Sequence, residues 1–344
     1  MYLKEETQKN LRETMRDDFF DKIAGGWYGK LIGNQLGRSV EGKNFKEIEQ
    51  EYGLIEYYVE VPNGFGPDDD PEYLVLDLHA IRVHGVALDS KILALEWLEH
   101  LTLVFTAEKV ALENMKRGLM PPLSAIFRNP YQEWIGAQMR GELWGMISPL
   151  IPNLAVKLAI IDATISHSGN GVYGEIFISA LASILFTEDN VERAIKKALE
   201  YVPPDSLYFK AIKSALYRAK SKSWRECIPE IYAKYREYSP VHVLPNAEII
   251  VTALMSESFE EGILIATNAG MDSDCNAGNV GGLLGVLEGY SSISTKWLEP
   301  LKDTYKTKLR NLPTRYVDEV GLIKISHLVD MTYEVSKRTC LEWR

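Results

Sequence analysis

Two acidic stretches carry the residue types best suited to chemistry in this chain. Asp68, Asp69 and Asp70 stand in a row within GFGPDDDPEYL (64–74), between two prolines, and Asp272 and Asp274 sit two apart in MDSDCNAG (271–278). Neighbouring carboxylates repel, so each stretch needs water or a cation to stay ionised. One reading makes both of them solvated helix caps, because acidic residues ahead of a helix accept its free N–H groups. The other brings them together on divalent cations, since Mg2+ and Mn2+ prefer oxygen ligands and would remove the repulsion. More than half of the chain separates the two stretches, so only the fold decides between these readings.

Other chemistries fail on spacing. Asp272, Asp274 and Asn276 match the first three ligand positions of a calcium loop, but Ala277 and Leu283 stand where that loop needs glycine and glutamate. AGGWYGKLIGNQLG (24–37) is not a P-loop, because Ala24 replaces its first glycine and Leu31 follows Lys30. A G-x-S-x-G nucleophile elbow is absent. Cys227, Cys275 and Cys340 form no CxxC pair, which argues against a cysteine zinc site or a disulfide framework and for a reducing cytoplasm. His167 follows an apolar helical stretch and reads as a packed histidine or a pocket residue.

The elements that must position these residues are helical. Apolar residues recur at helical spacing over 71–85, 90–105, 154–167, 173–186, 190–202, 207–221, 246–256 and 259–270. Alternation suited to a strand is confined to IEYYVEV (55–61). Gly25, Gly29, Gly33 and Gly37 recur every fourth residue on one helical face, and Gly278, Gly281, Gly282, Gly285 and Gly289 crowd another segment. Each interior helical glycine costs roughly 1 kcal/mol against alanine, so these positions imply close approach by another backbone or by a ligand. No Pro-rich or Gly/Ser linker divides the 344 residues, and the expectation is one all-α domain, a core of roughly 20–300 with a C-terminal extension, 301–344, packed on it. A net charge of −10 argues against nucleic-acid binding, and the longest apolar runs fall short of a membrane span. The oligomeric state is not readable.

Several of these segments together resemble the ADP-ribosylglycohydrolase family, the group that includes the dinitrogenase reductase-activating glycohydrolase. IGNQLGRSVEG resembles the family's G-D-A-L-G-x-P-V-E-F opening and places Glu41 on its glutamate. DDDP resembles T-D-D-T, with Asp69 and Asp70 on its aspartates. MDSDC resembles G-D-T-D-T, with Asp272 and Asp274 on its metal-binding pair. DATISH matches the family's D-A-x-x-[TS]-H helix, and NPYQEWIGAQMRGELWG takes the place of its glycine-rich substrate loop. The likeness is best to a divergent subgroup with DDD and DxDCN variants.

The resemblance implies an all-α orthogonal bundle with two Mg2+ or Mn2+ ions in a central cleft, and hydrolysis of an N- or O-glycosidic bond to ADP-ribose or a related ribosyl group. It implies a metal set of Asp68, Asp69, Asp70, Asp272, Asp274 and Cys275, with Glu41 and Asp70 handling water. It implies substrate contacts from Gly136, Ala137, Gln138, Arg140, His167, Tyr173 and Gly174, Arg140 being placed for a phosphate. Asp68, Pro71 and Cys275 stand where the family has threonines, so a single ion is an alternative to two. The partner expected is a small-molecule or ADP-ribosylated substrate. A nucleoside or ribosyl-conjugate hydrolase and a non-catalytic ADP-ribose-binding protein are the alternatives.

Overall fold

A computed structural model describes residues 5–313 and 315–342. Its helices are α1 (Glu5–Arg38), α2 (Phe45–Tyr52), α3 (Asp69–His84), α4 (Ser90–His100), α5 (Thr106–Lys116), α6 (Leu123–Ile126), α7 (Glu142–Met146), α8 (Pro152–Ala163), α9 (Asn170–Ile184), α10 (Val191–Leu199), α11 (Leu207–Ala219), α12 (Trp224–Lys234), α13 (Val243–Leu254), α14 (Phe259–Ala269), α15 (Ser273–Glu288), α16 (Thr295–Leu298) and α17 (Ile325–Glu342). Two three-residue strands, β1 (Thr304–Lys306) and β2 (Leu322–Lys324), pair antiparallel. The architecture is all-α. Side chains that favour helix starts open many of the helices. Asn44 and Glu47 form a reciprocal capping box on α2, and Asp89, Asn190, Ser206 and Ser258 accept from first-turn N–H groups.

The centre of the fold is the antiparallel pair α1 and α15. A Cβ built on Gly25, Gly29, Gly33 or Gly37 would lie 2.0, 2.1, 1.9 or 2.1 Å from the carbonyl oxygens of Gly285, Gly281, Ala277 and Ser273 respectively. Both glycine stripes therefore serve helix-to-helix contact, and the ligand reading of them falls away. Backbone against backbone along four turns brings carbonyls and Cα–H groups into contact, which compensates the propensity cost of the glycines. It also brings the C-terminus of α1 beside the N-terminus of α15. One continuous hydrophobic cluster, with Trp27, Trp97, Trp144 and Trp297 fully buried, extends from Ile23 to Val335 around this pair.

The strand expected over 55–61 is not formed. Ile55 exchanges its backbone bonds with the Asn268 side chain, N–H to Oδ1 at 2.9 Å and Nδ2 to the carbonyl at 2.9 Å. Tyr57 and Tyr58 donate their hydroxyls to the Lys296 and Trp297 carbonyls, so the alternation reflects anchoring of an irregular segment. The helix expected over 90–105 stops at His100, where Leu101 turns extended. Beyond residue 300, β1 lies beside Phe65 through Phe65 N–H to Thr304 O and Lys306 N–H to Phe65 O, both 2.9 Å. Trp27 Nε1 donates to Thr332 Oγ1 on α17 at 2.8 Å, which ties the last helix to the first.

Replacing Gly33 by alanine puts a methyl group into the Ala277 carbonyl. The expected cost is about 2–3 kcal/mol, read as a lower denaturant midpoint. An unchanged midpoint would mean that α1 and α15 do not touch along this stripe.

Candidate active site

Because α1 and α15 run antiparallel, the segment after α1 meets the segment before α15. Gly42 N–H donates to Met271 O and Met271 N–H to Lys43 O, each at 2.9 Å. Gly270 ends α14 with φ +72°, and a Cβ there would strike the Lys43 carbonyl at 2.3 Å, so glycine is required for this seam. The seam holds Glu41 near Asp272. Asn246 on α13 completes the support: its Oδ1 accepts from Asn276 Nδ2 at 2.8 Å, and its Nδ2 donates to the Pro240 and His242 carbonyls at 2.7 and 2.9 Å.

The other acidic stretch arrives from α3. Asp68 is the residue before that helix and Asp272 the residue before α15, yet neither side chain caps its helix. The simple helix-cap reading therefore fails for both. Asp68 faces Arg38, with Nε at 3.4 Å, and Arg38 Nη2 also donates to the Pro67 carbonyl at 3.1 Å. Glu72, one turn into α3, is gripped by Thr307 Oγ1 and Lys308 N–H, both at 3.0 Å, and by the Tyr305 hydroxyl. The C-terminal segment thus fixes the start of α3.

The two stretches meet. Ligand atoms of Asp70, Asp274 and Cys275 lie within 4.8 Å of one another, as do those of Asp68, Asp69 and Asp70. All of them but Asp70 edge a cleft of about 580 Å3 whose walls include Arg38, Glu41, Asp68, Asp69, Glu108, Asp272, Asp274 and Cys275. Phe105, Trp134, Met139 and Val241 supply apolar wall, and Lys308 a second cation. The N-terminal ends of α3 and α15 both carry these acids in or next to their first turn, where the helix dipole favours negative charge.

That favourable field does not balance the crowding. Burial and Asp70 push Asp68 up to about 6 despite Arg38. Burial, with Asp70 and Glu41 adding to it, pushes Asp272 up to about 7, against hydrogen bonds to Asp274 and Cys275. Asp69 and Asp274 are held well above the ordinary carboxylate range, by burial first and then by neighbouring carboxylates. Glu41, at the solvent-facing rim, is raised by desolvation and Asp70 while Arg38 opposes. Without a cation these side chains hold protons that an isolated carboxylate would have lost.

Asp70 is different. It lies beneath the cleft wall, fully buried, with Oδ2 3.0 Å from Lys30 Nζ and Oδ1 accepting from the Cys275 thiol at 3.2 Å. Lys30 is itself fully buried in the middle of the α1 glycine stripe, donates to Met139 O at 2.5 Å and lies 3.5 Å from Glu142 Oε1. Burial works against its charge, but Asp70 and Glu142 more than offset this and hold its pKa above the usual lysine value. Asn279 Nδ2 donates to the same Glu142 oxygen at 2.5 Å. Burial and the surrounding carboxylates raise the Cys275 thiol far above its ordinary value, so it stays an S–H donor. A protonated thiol offers little to a hard cation.

The residues expected at the substrate loop divide. Gly136 is on the cleft wall, and a side chain there would collide with Glu108. Ala137 and Gln138 are fully buried, Gln138 Oε1 accepting from the Tyr208 hydroxyl at 2.6 Å. Arg140 is also fully buried. It bonds Asp162 and Glu108 at 2.9 Å each, the Gly136 carbonyl at 2.9 Å and Ser166 Oγ at 3.1 Å, and stacks over Tyr73 and Trp97. Its donors serve the core, so the structure places the phosphate-seeking guanidinium of sequence reasoning below the cleft. His167 is buried beside Ser166 and Glu108, kept neutral by burial and Arg140. Tyr173 and Gly174 belong to α9 and do not line the cleft; Gly174 packs on Gln138.

Sequence reasoning missed Lys30, Glu108, Arg38, Lys308 and Asn246. Lys30 had a signal: a lone charge inside an otherwise apolar helical stripe. Arg38 lay inside the quoted IGNQLGRSVEG segment without being singled out, and Glu108, Lys308 and Asn246 sit on stretches with no distinctive pattern.

A protein-family model for ADP-ribosylglycohydrolase matches residues 15–324. An uncharacterized protein of Archaeoglobus fulgidus is 27% identical over 307 residues, covering 84% of this chain and 96% of its own. A solved structure titled ADP-ribosylglycohydrolase-related protein complex superposes with a TM-score of 0.64 over 93% of this chain and 99% of its own, at 18% identity, a likeness of fold. The match over nearly the whole chain, with its acidic stretches brought together in one cleft, establishes that the protein belongs to the ADP-ribosylglycohydrolase family.

Proposed function

We propose that the cleft binds a divalent cation, Mg2+ or Mn2+, and hydrolyses a glycosidic bond to ADP-ribose or a related ribosyl group. The observation behind this is that Asp68, Asp69, Asp272 and Asp274, with carboxyls held above their ordinary range, line one cleft of about 580 Å3. The donors fit a hard cation: all four offer oxygen, and Asp274 Oδ1 is buried with no hydrogen-bond partner. Lys30 already supplies a fixed positive charge to Asp70. We assign that charge the place of one of the family's two ions, leaving a single divalent site.

When bound, the cation would act as a Lewis acid and orient hydroxyl groups of the ribose. The chain's own residues do the rest. Glu41, at the rim and raised above an ordinary glutamate, is placed to accept a proton from the attacking water. The acidic wall favours an oxocarbenium-like sugar. Trp134 and Phe105 offer flat faces for a base, and Arg38 and Lys308 are the wall's cations for a diphosphate. A smaller nucleoside or ribosyl conjugate is the second reading, favoured by only two cations along this wall.

A panel of ADP-ribosylated peptide, ADP-ribosyl conjugates and nucleosides, assayed with Mn2+, separates these readings. Turnover of the ADP-ribosyl compounds is expected, and Glu41→Gln should lower kcat by about 100-fold or more. Wild-type turnover in that variant would remove Glu41 from the reaction. Binding of ADP-ribose without turnover of anything in the panel would make the protein a non-catalytic member.

Cation binding should depend on pH with a definite sign. Folded and cation-free, Asp272 keeps its proton up to about pH 7, whereas unfolded it loses it near pH 4. That proton's contribution to the cation-free fold is fully present below about pH 4 and is lost as pH rises through 7. Binding a cation displaces the proton, so Mn2+ affinity should rise with pH through 6–7 with proton release, about one ion per chain. Calorimetry in buffers of different ionisation enthalpy measures this; affinity that is flat across the window would contradict it.

Lys30→Met should cost about 3–5 kcal/mol, because Asp70 and Glu142 lose their cation in a dry site. Added Mn2+ should recover part of that loss. Urea titrations with and without Mn2+ test both, and a neutral substitution would show that Lys30 is not the compensating charge.

A further inference from the structure

A second cluster lies at the far end of α3, about 15 Å along that helix from its acidic start. Three of the chain's six histidines converge there on one carboxylate. His79 and His84 come from α3, Glu96 and His100 from successive turns of α4. Glu96 Oε1 is bonded to His84 Nε2 at 2.7 Å. Its other oxygen, Oε2, lies 3.0 Å from His100 Nε2 and 3.6 Å from His79 Nε2, yet is buried and makes no hydrogen bond to either.

The tautomer of His100 gives this arrangement its meaning. His100 Nδ1 is 2.8 Å from the Arg310 carbonyl. A carbonyl only accepts, so Nδ1 carries a proton and Nε2 is the ring atom turned to the cluster. Nε2 lies 3.0 Å from Glu96 Oε2, so one cation could be held by both atoms. An imidazole whose other N–H is held by a backbone carbonyl is the usual support of a metal-ligating histidine. His79 is nine-tenths buried, its Nδ1 also without a partner, and burial keeps it neutral against the pull of Glu96, with His100, His84 and Arg315 acting in the same sense as burial. Tyr316 closes the far side, its ring 6.0 Å from that of His79.

The geometry points to a second metal site, His79 Nε2, Glu96 Oε2 and His100 Nε2, that takes a borderline transition-metal ion such as Zn2+ or Co2+. Glu96 Oε2 lies 3.0 and 3.6 Å from the two imidazole nitrogens, near the separation of about 3.4 Å that ligands 2.0–2.1 Å from a tetrahedral zinc adopt. Two imidazoles and one carboxylate suit zinc and cobalt better than Mg2+. His84 orients the carboxylate from its other oxygen. The ion staples α3 to α4 and, through His100 and Arg310, to the C-terminal segment. This site shares no residue with the acidic cleft and does not depend on how the cleft is read.

The test strips the full chain of metal with a chelator and titrates Co2+, following its visible absorption and competition by Zn2+. About one equivalent should bind with the spectrum of a low-symmetry nitrogen–oxygen site. Binding should persist in Asp272→Asn/Asp274→Asn, and weaken at least tenfold in Glu96→Gln and His100→Gln. In the wild type, histidine 15N resonances should shift on Zn2+ addition at the Nε2 atoms of His79 and His100, a readout that needs no variant. Absence of those shifts, full loading of Glu96→Gln, or loss of binding in the cleft variant would each overturn the assignment.

Discussion

The contact on which the rest of the molecule depends is the backbone meeting of α1 and α15. Four small residues on each helix allow carbonyls to sit where side chains would normally be. Any methyl group at Gly25, Gly29, Gly33 or Gly37 would force the helices apart, and the ends of both helices would move with them. Those ends carry Glu41 on one side and Asp272 and Asp274 on the other. The glycine stripe therefore matters to the acidic cleft through register, although no glycine in it faces the cleft.

The cleft is a place where repulsion is built in and then partly relieved from within. Lys30 rises from the same stripe and neutralises Asp70 and Glu142 from below. Gly278 leaves room for its ammonium, since a side chain there would come within 3.1 Å of Nζ. Arg38 does a weaker version of this for Asp68 from the solvent side. Asp69, Asp272 and Asp274 receive no comparable partner, and their raised proton affinity is the residual demand for positive charge. Cys275 stands where the family motif that the chain resembles has a threonine, and Lys30 supplies a fixed positive charge beside it through Asp70.

Much of this was legible in the chain. Helical periodicity found many of the helices that pack around the core, glycine spacing marked the central pair α1 and α15, and the two acidic stretches identified themselves by charge density and by their likeness to family motifs. What periodicity misread had local causes. Residues 55–61 alternate because Ile55 and the two tyrosines are anchored by Asn268 and the 296–297 carbonyls, not because another strand lies alongside. Arg140 looked like a substrate contact because it sits in the right loop, but Asp162, Glu108 and two aromatic rings hold it in the core. Such burial is a property of packing among distant segments, and no spacing rule encodes it. The histidine cluster was equally hidden: His79, His84, Glu96 and His100 become neighbours only when α3 turns back into α4.

The most direct measurement is a crystal structure of the chain grown with Mn2+, with anomalous differences collected at the manganese edge. One peak is expected among Asp68, Asp69, Asp272 and Asp274, with Lys30 still on Asp70. No peak in the cleft, or a peak in the position of the Lys30 ammonium with that side chain displaced, would contradict a single cation held by the acids that α1 and α15 bring together.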